Sequence, residues 1–500
     1  MRKGRYLDVL ALLIALGGLI ITGWISDDVF ERIPHIEDEF AYLWQAEVMA
    51  EGLISLPSPE TPGAFLVPFV VDHEGQRFAK YPPGWPAALS IGARVNLPWL
   101  VNSLLAGFSL WLIYRLGTKI LGRGVGLLAE LLTLSSPMFL MLSGSLLAHT
   151  LSLFLALVFQ LAWLDSFPLR GVSREQRAPD GLVLLAGAGS LGLLVLTRPL
   201  TAVAVAFPFA LHGIFLVARG TPGERKKLLI LALVTSCVAS LLLIWQWALG
   251  GSPFRNLYTL WWPYDRLGFG ADIGVTESGH NLYWALQNVR FNLSAGIHDL
   301  FGWPYLSWLF IPFGLIVLCP KRDGKLVLAV FISLVVAYGV YWPGSWLYGP
   351  RYYYEGLPSL TICSAAGIAW LGDWLGNWRN AVRWRRLSVF GITALLVIMN
   401  IVFYFPARVW GMRGLYQITR EPMDALVEIA QEDALIIVHT QKWFEYARLL
   451  PLVEPFGEGD LIITCNCGLE ADDDVVRRYP DRKIFHYYPE TPQRLYSELQ

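Results

Sequence analysis

Long apolar runs constrain this chain more than any other feature. Stretches of roughly 16 to 22 residues recur near 7–25, 98–116, 124–142, 145–165, 181–197, 199–218, 228–249, 304–319, 325–342, 357–375 and 387–405. Each approaches the length a helix needs to cross about 30 Å of hydrocarbon. The reading is a polytopic α-helical membrane protein of about eleven transmembrane helices. Composition agrees: 55% of the residues are hydrophobic and 16% charged, against about 25% charged in soluble domains. Mean hydropathy is +0.46, and 21 Trp with 21 Tyr suit wet membrane interfaces. No nucleic-acid partner is expected from such a chain.

The charges orient the spans. If residues 1–5 are cytoplasmic, twenty Lys and Arg fall there and in the short segments near 115–123, 166–180, 218–227, 320–325 and 376–386. The opposite turns near 143–144, 197–199 and 343–356 hold only Arg198 and Arg351. This positive-inside pattern sets a cytoplasmic N-terminus, and the expected location is the plasma (inner) membrane. It places the long segments 26–97, 250–303 and 406–500 outside. Met1-Arg2-Lys3-Gly4-Arg5 and the run after it read as an uncleaved anchor, because the run is too long for a signal peptide and lacks a small-residue cleavage site.

Two regions follow: 1–405, the transmembrane body with its outer loops, and 406–500, a small extracytoplasmic α/β domain. In the first loop a helix is expected over 38–51, ended by Gly52, then a Pro-rich connector and a hairpin from Phe65 to Tyr81 turning at Asp72-His73-Glu74-Gly75. Pro86 opens another helix. In the C-terminal region, 434–439, 461–464 and 483–487 read as strands, with helices over 421–432 and 470–478. Five cysteines are too few for a disulfide framework, and those in apolar segments read as small buried hydrophobes. No histidine pair has helical metal-ligand spacing.

The residues that could carry chemistry gather outside. Glu37-Asp38-Glu39 opens the first outer helix, where acids complement the helix dipole. On that helix Asp38, Ala41, Tyr42 and Gln45 share one face, while Phe40, Leu43, Trp44 and Val48 form an opposite, membrane-seeking face. The helix should lie along the interface and aim Asp38 at the bundle interior. Lys80 precedes two prolines and a helix start, a setting for an anion. Arg198 and Arg351 defy the charge bias of their turns, and membrane-proximal ionisable residues usually serve a ligand. Arginine grips phosphate oxygens with a planar fork. Asp265, in an aromatic stretch of the second loop, belongs either to a sugar-stacking lid or to an interfacial aromatic belt.

Taken together, these residues resemble a family. Asp38-Glu39 with Tyr42 is similar to the Asp-Glu-x-x-Tyr motif of GT-C membrane glycosyltransferases, in the branch of protein O-mannosyltransferases and lipid A aminoarabinose transferases. Lys80-Tyr81-Pro82-Pro83-Gly84-Trp85-Pro86 looks like that family's Lys-Pro-Pro element, with Tyr81 inserted. Thr197-Arg198-Pro199 and Gly349-Pro350-Arg351-Tyr352-Tyr353 resemble its outer-turn motifs. The likeness covers roughly residues 1–405; the C-terminal domain departs from it. The resemblance implies inverting transfer of a sugar from a polyprenyl-phosphate carrier to a lipid, glycan or protein acceptor on the outer face. Asp38 would be the general base, and Glu39 would orient it or help hold a divalent cation. Tyr42, Lys80, Arg198, Arg351, Tyr352 and Asp265 would bind substrate. The alternative class is a transporter or flippase of lipid-linked sugars, which would want ionisable groups near mid-membrane.

Overall fold

The chain begins with helix α1 (Arg2–Trp24), whose apolar surface continues through a π-helical turn to Val29. The computed structural model describes residues 2–168, 181–344, 347–377, 382–430, 433–440, 442–466, 468–492 and 494–499. The basic segments over 169–180 and 378–381 lie outside them. Among the described residues, six helices are long and apolar enough to cross a membrane: Arg5–Val29, Pro98–Leu121, His149–Ser166, Pro199–Arg219, Pro222–Gly250 and Leu387–Gln417. A bent pair, Arg123–Leu134 with Pro137–Gly144, would make a seventh. The remaining apolar runs build shorter or less apolar helices, such as Gly181–Thr197, Ile311–Leu318 and Leu357–Asn377. Length and composition thus support six or seven of the eleven expected spans.

The bent pair shows how the sequence misleads. The run 124–142 reads as one span, yet the chain turns by 62° within it. Ser136 caps a new helix, accepting a hydrogen bond from the Phe139 N–H at 3.3 Å, and Pro137 takes the first helical position. Outward-facing residues on the spanning helices are apolar, for example Val203, Phe207, Leu211, Leu229 and Leu233. Cys237 and Cys319, expected to be buried, also face outward.

The first long loop, between α1 and the next span, carries α2 (Glu37–Ala50), three short strands and α3 (Gly84–Ala93). Strands β1 (Leu56–Pro57), β2 (Val70–His73) and β3 (Gln76–Ala79) form an antiparallel sheet in the order β1-β3-β2. The expected hairpin turns at Glu74 and Gly75, both at positive φ, as a tight two-residue turn requires. The additional strand comes from the Pro-rich connector, where Pro57 is tolerated because the strand lies at an edge.

The amphipathic reading of α2 needs correction. Phe40, Trp44 and Val48 are buried in protein, with 4, 4 and 0% exposure, instead of facing lipid. Gln45 ties α2 to the loop: its Nε2 donates to the Ile54 carbonyl (3.0 Å), and its Oε1 accepts from the Ala79 N–H (2.9 Å). The helix is therefore enclosed, and its register fixes the end of β3 where Lys80 follows.

After α3 come α4 (Pro98–Leu121), α5 (Arg123–Leu134), α6 (Pro137–Gly144), α7 (His149–Ser166), α8 (Gly181–Thr197) and α9 (Pro199–Arg219). In the C-terminal region β4 (Ala434–Val438), β5 (Leu461–Cys465) and β6 (Lys483–Tyr487) are parallel, with β4 central, and β7 (Leu495–Tyr496) runs antiparallel to β6. Leu435, Ile462 and Val475 close over Ala64 of the first long loop. Helices Arg420–Ile429 and Leu469–Arg478 fall near their expected positions.

Candidate active site

Two loop motifs meet because a glycine lets them. A Cβ on Gly84 would stand 2.6 Å from Thr197 Oγ1 and 2.7 Å from the Leu196 carbonyl oxygen. Only glycine fits, so the Pro82-Pro83-Gly84 turn lies directly on the turn that carries Arg198. Behind them opens a cavity of about 840 Å³. Seven of the residues singled out in the sequence border it: Asp38, Tyr42, Lys80, Arg198, Asp265, Arg351 and Tyr352.

Glu39 does not reach the cavity. Its Oε2 accepts the His35 N–H at 2.8 Å and its Oε1 the Leu146 N–H at 2.9 Å. Burial pushes its carboxyl up to about 7, against the pull of those N–H donors. Glu39 therefore clamps α2 to the 145–148 loop. With both oxygens engaged by backbone, it does not offer itself as a cation ligand. Among the described residues, no three His, Cys, Asp or Glu side chains group as a metal site.

Asp38 stands half-exposed on the cavity wall. Tyr81 donates its hydroxyl hydrogen to Asp38 Oδ1 at 2.5 Å, and Arg351 Nη2 lies 3.7 Å from Oδ2. The Tyr42 ring packs on Tyr81 with centroids 4.4 Å apart. The residue that interrupts the Lys-Pro-Pro pattern is thus the one that touches the carboxylate.

Lys80 and Asp265 are paired away from Asp38. Lys80 Nζ lies 3.4 Å from Asp265 Oδ2, and each side chain is 3% exposed. Four rings surround the ammonium: Phe69 at 3.7 Å, Trp262 at 4.6 Å, Tyr258 at 5.2 Å and Tyr81 at 5.5 Å. Asp265 also accepts from Trp342 Nε1 (3.1 Å) and the Tyr341 hydroxyl (3.3 Å). Burial pushes the Lys80 ammonium below its usual range, and Asp265 pulls it back. Asp265 is therefore a buried hub that holds the second long loop onto the first.

The two arginines differ. Arg198 donates from Nη1 to Glu355 Oε1 (2.7 Å) and from Nη2 to the Tyr338 hydroxyl (2.9 Å). Arg351 keeps Nε and Nη1 buried without a hydrogen-bond partner among the described residues. The Tyr352 ring lies near both guanidiniums, at 5.6 Å from Arg351 and 5.9 Å from Arg198, and stacks on Tyr338. Donors left open on a buried guanidinium suit an anion that arrives from outside. Tyr81, Tyr338 and His149 also line the cavity, and Glu355 backs it from behind Arg198. Glu355 could have been found as the acid four residues after Arg351; Tyr338 and His149, within or opening apolar runs, carry little local signal.

No family model and no curated protein matches the sequence. Solved structures do. ArnT from Cupriavidus metallidurans bound to undecaprenyl phosphate superposes with a TM-score of 0.57 at 12% identity, over 96% of this chain and 89% of that one. Its apo state gives 0.57 and 12%, over 94% and 88%. The Archaeoglobus fulgidus oligosaccharyltransferase in complex with zinc and sulfate gives 0.51 at 14%, over 94% and 67%. Identities this low establish the fold alone: this chain is a polytopic membrane protein that shares the fold of these two proteins.

Proposed function

We propose that this chain is a glycosyltransferase that moves a sugar from a polyprenyl-phosphate carrier to an acceptor hydroxyl at the outer face of the membrane. The observation that carries the reading is that Asp38 and Arg351 line one cavity, where the carboxylate lies 3.7 Å from a guanidinium that still has open donors, a contact that parts to admit the sugar. A single displacement needs a base on one side of the anomeric carbon and anion stabilisers on the other. Asp38 Oδ2 takes the proton of the acceptor hydroxyl while its Oδ1 is held by Tyr81. The acceptor oxygen bonds to the anomeric carbon, the bond from that carbon to phosphate oxygen breaks, and the electron pair leaves on the carrier phosphate. The configuration inverts. Arg351 receives the phosphate charge, and Arg198, fixed by Glu355, adds to the positive field.

Lys80 enters this scheme differently from its sequence reading. Paired with Asp265 and boxed by rings, it anchors the wall, and phosphate contact would require that pair to part. No step runs through a metal. Both solved neighbours support a lipid-carrier reading: one is bound to undecaprenyl phosphate, the other is an oligosaccharyltransferase. The test is Asp38→Asn in membrane vesicles supplied with a panel of polyprenyl-phosphate sugars. Transfer should fall to background; transfer at the wild-type rate would remove Asp38 from the base role.

A further inference from the structure

A buried imidazole on the cavity wall has no partner. His149 is 5% exposed and borders the cavity. Neither Nδ1 nor Nε2 has a hydrogen-bond partner among the described residues. Buried polar side-chain atoms are nearly always paired, so an exception with both nitrogens open calls for an explanation. Packing alone does not supply one, since the Tyr354 ring meets His149 edge-on at 6.4 Å and takes no hydrogen bond from it.

The chain leading into His149 is held from three helices. Asn102 Nδ2, on α4, donates to the carbonyls of Ser145 (2.7 Å) and Leu147 (2.9 Å). Trp85 Nε1, on α3, donates to the Leu146 carbonyl at 2.7 Å, and Glu39 on α2 accepts the Leu146 N–H. Three successive residues are thus fixed just before a side chain that itself bonds to nothing. His149 also opens α7, whose first-turn N–H groups lack intrahelical partners. The charges that act on its ring are Arg198 and Arg351. No carboxylate joins them, in contrast to Lys80, Arg198 and Arg351, each of which has an acid beside it.

We infer that His149 is a third donor of the anion cradle, placing a ring N–H on a non-bridging oxygen of the carrier phosphate beside Arg351. The inference rests on the carrier reading above and deepens it. A neutral imidazole suits this place, because it adds a donor without a third full positive charge.

The test uses the full chain in detergent, with undecaprenyl phosphate as the probe and undecaprenol as its uncharged control. His149→Ala should weaken undecaprenyl phosphate binding about tenfold, the scale of one hydrogen bond to a charged group. Undecaprenol binding and Tm should not change. His149→Gln, which keeps an N–H donor, should bind within about threefold of wild type. Unchanged binding by His149→Ala overturns the inference. So does equal loss toward both lipids, or a fall in Tm shared by both variants, either of which marks a packing role. A folded wild type that does not prefer undecaprenyl phosphate to undecaprenol overturns the carrier reading itself.

Discussion

Tyr81 donates to Asp38 Oδ1 at 2.5 Å, and this bond leaves Oδ2 as the carboxylate oxygen turned toward Arg351. The phenol orients the proposed base. Tyr81→Phe keeps the ring, with its packing on Tyr42, and removes only that donor. A hydrogen bond to a charged group contributes about 1.5–3 kcal/mol, so kcat should fall roughly tenfold to a hundredfold. KM and Tm should stay close to wild type. A matching rise in KM with unchanged kcat would assign Tyr81 to substrate binding instead.

The arginines separate by assay. Arg351→Ala removes an open donor from the proposed leaving-group site, and transfer should fall by about 10²–10³, the effect of deleting one oxyanion donor. Tm should change little. Arg198→Ala instead leaves Glu355, 0% exposed, without its partner. Breaking such a pair costs about 3–5 kcal/mol, so this variant should lose Tm as well as activity. Equal Tm losses for the two variants would contradict the distinction.

The Lys80–Asp265 pair makes a similar prediction for the second long loop. Asp265→Ala strands a buried ammonium among four rings. Lys80→Met with Asp265→Ala removes the ion while keeping the aliphatic stem against those rings. The double variant should be more stable than Asp265→Ala alone, because removing both charges spares the uncompensated one. Thermal melts of the wild type and these two variants in one detergent check this. A double variant less stable than the single would show that the rings alone hold the ammonium favourably, without its carboxylate.

Much of this site was legible because its chemistry breaks a topological rule. Arg198 and Arg351 stood out as cations where the charge bias allows none, and Asp38 through its place on a helix face. The placement of the apolar residues was harder. Phe40, Trp44 and Val48 have the pattern of a lipid-facing stripe, yet protein covers them. Period 3.6 reveals an apolar face without saying whether lipid or protein meets it. The 62° break after Leu134 was hidden because Ser135, Ser136 and Pro137 interrupt a run that hydropathy averages over. The resemblance implies that Glu39 orients Asp38 or helps hold a cation; the position of Leu146, 107 residues away, makes it a backbone clamp.

Glu47, farther along α2, ties stability to pH. Burial, with the Glu454 carboxylate adding to it, pushes the Glu47 carboxyl from 4.5 up to about 8. A carboxyl whose folded pKa lies above its unfolded value holds its proton more tightly when folded, so low pH favours the folded state. That contribution is complete below about pH 4.5 and is lost as pH rises through about 8. The Tm of the wild type should therefore decline across this interval. Glu47→Gln is neutral throughout, so its profile should be flatter, with the slope that persists near pH 7 belonging to Glu39. Because Glu454 follows β4 in the C-terminal region, the same experiment reads the contact between that region and α2. Glu454→Gln removes only the smaller, charge-repulsion part and should flatten the profile less than Glu47→Gln does. Parallel Tm profiles for wild type and Glu47→Gln would refute the assignment.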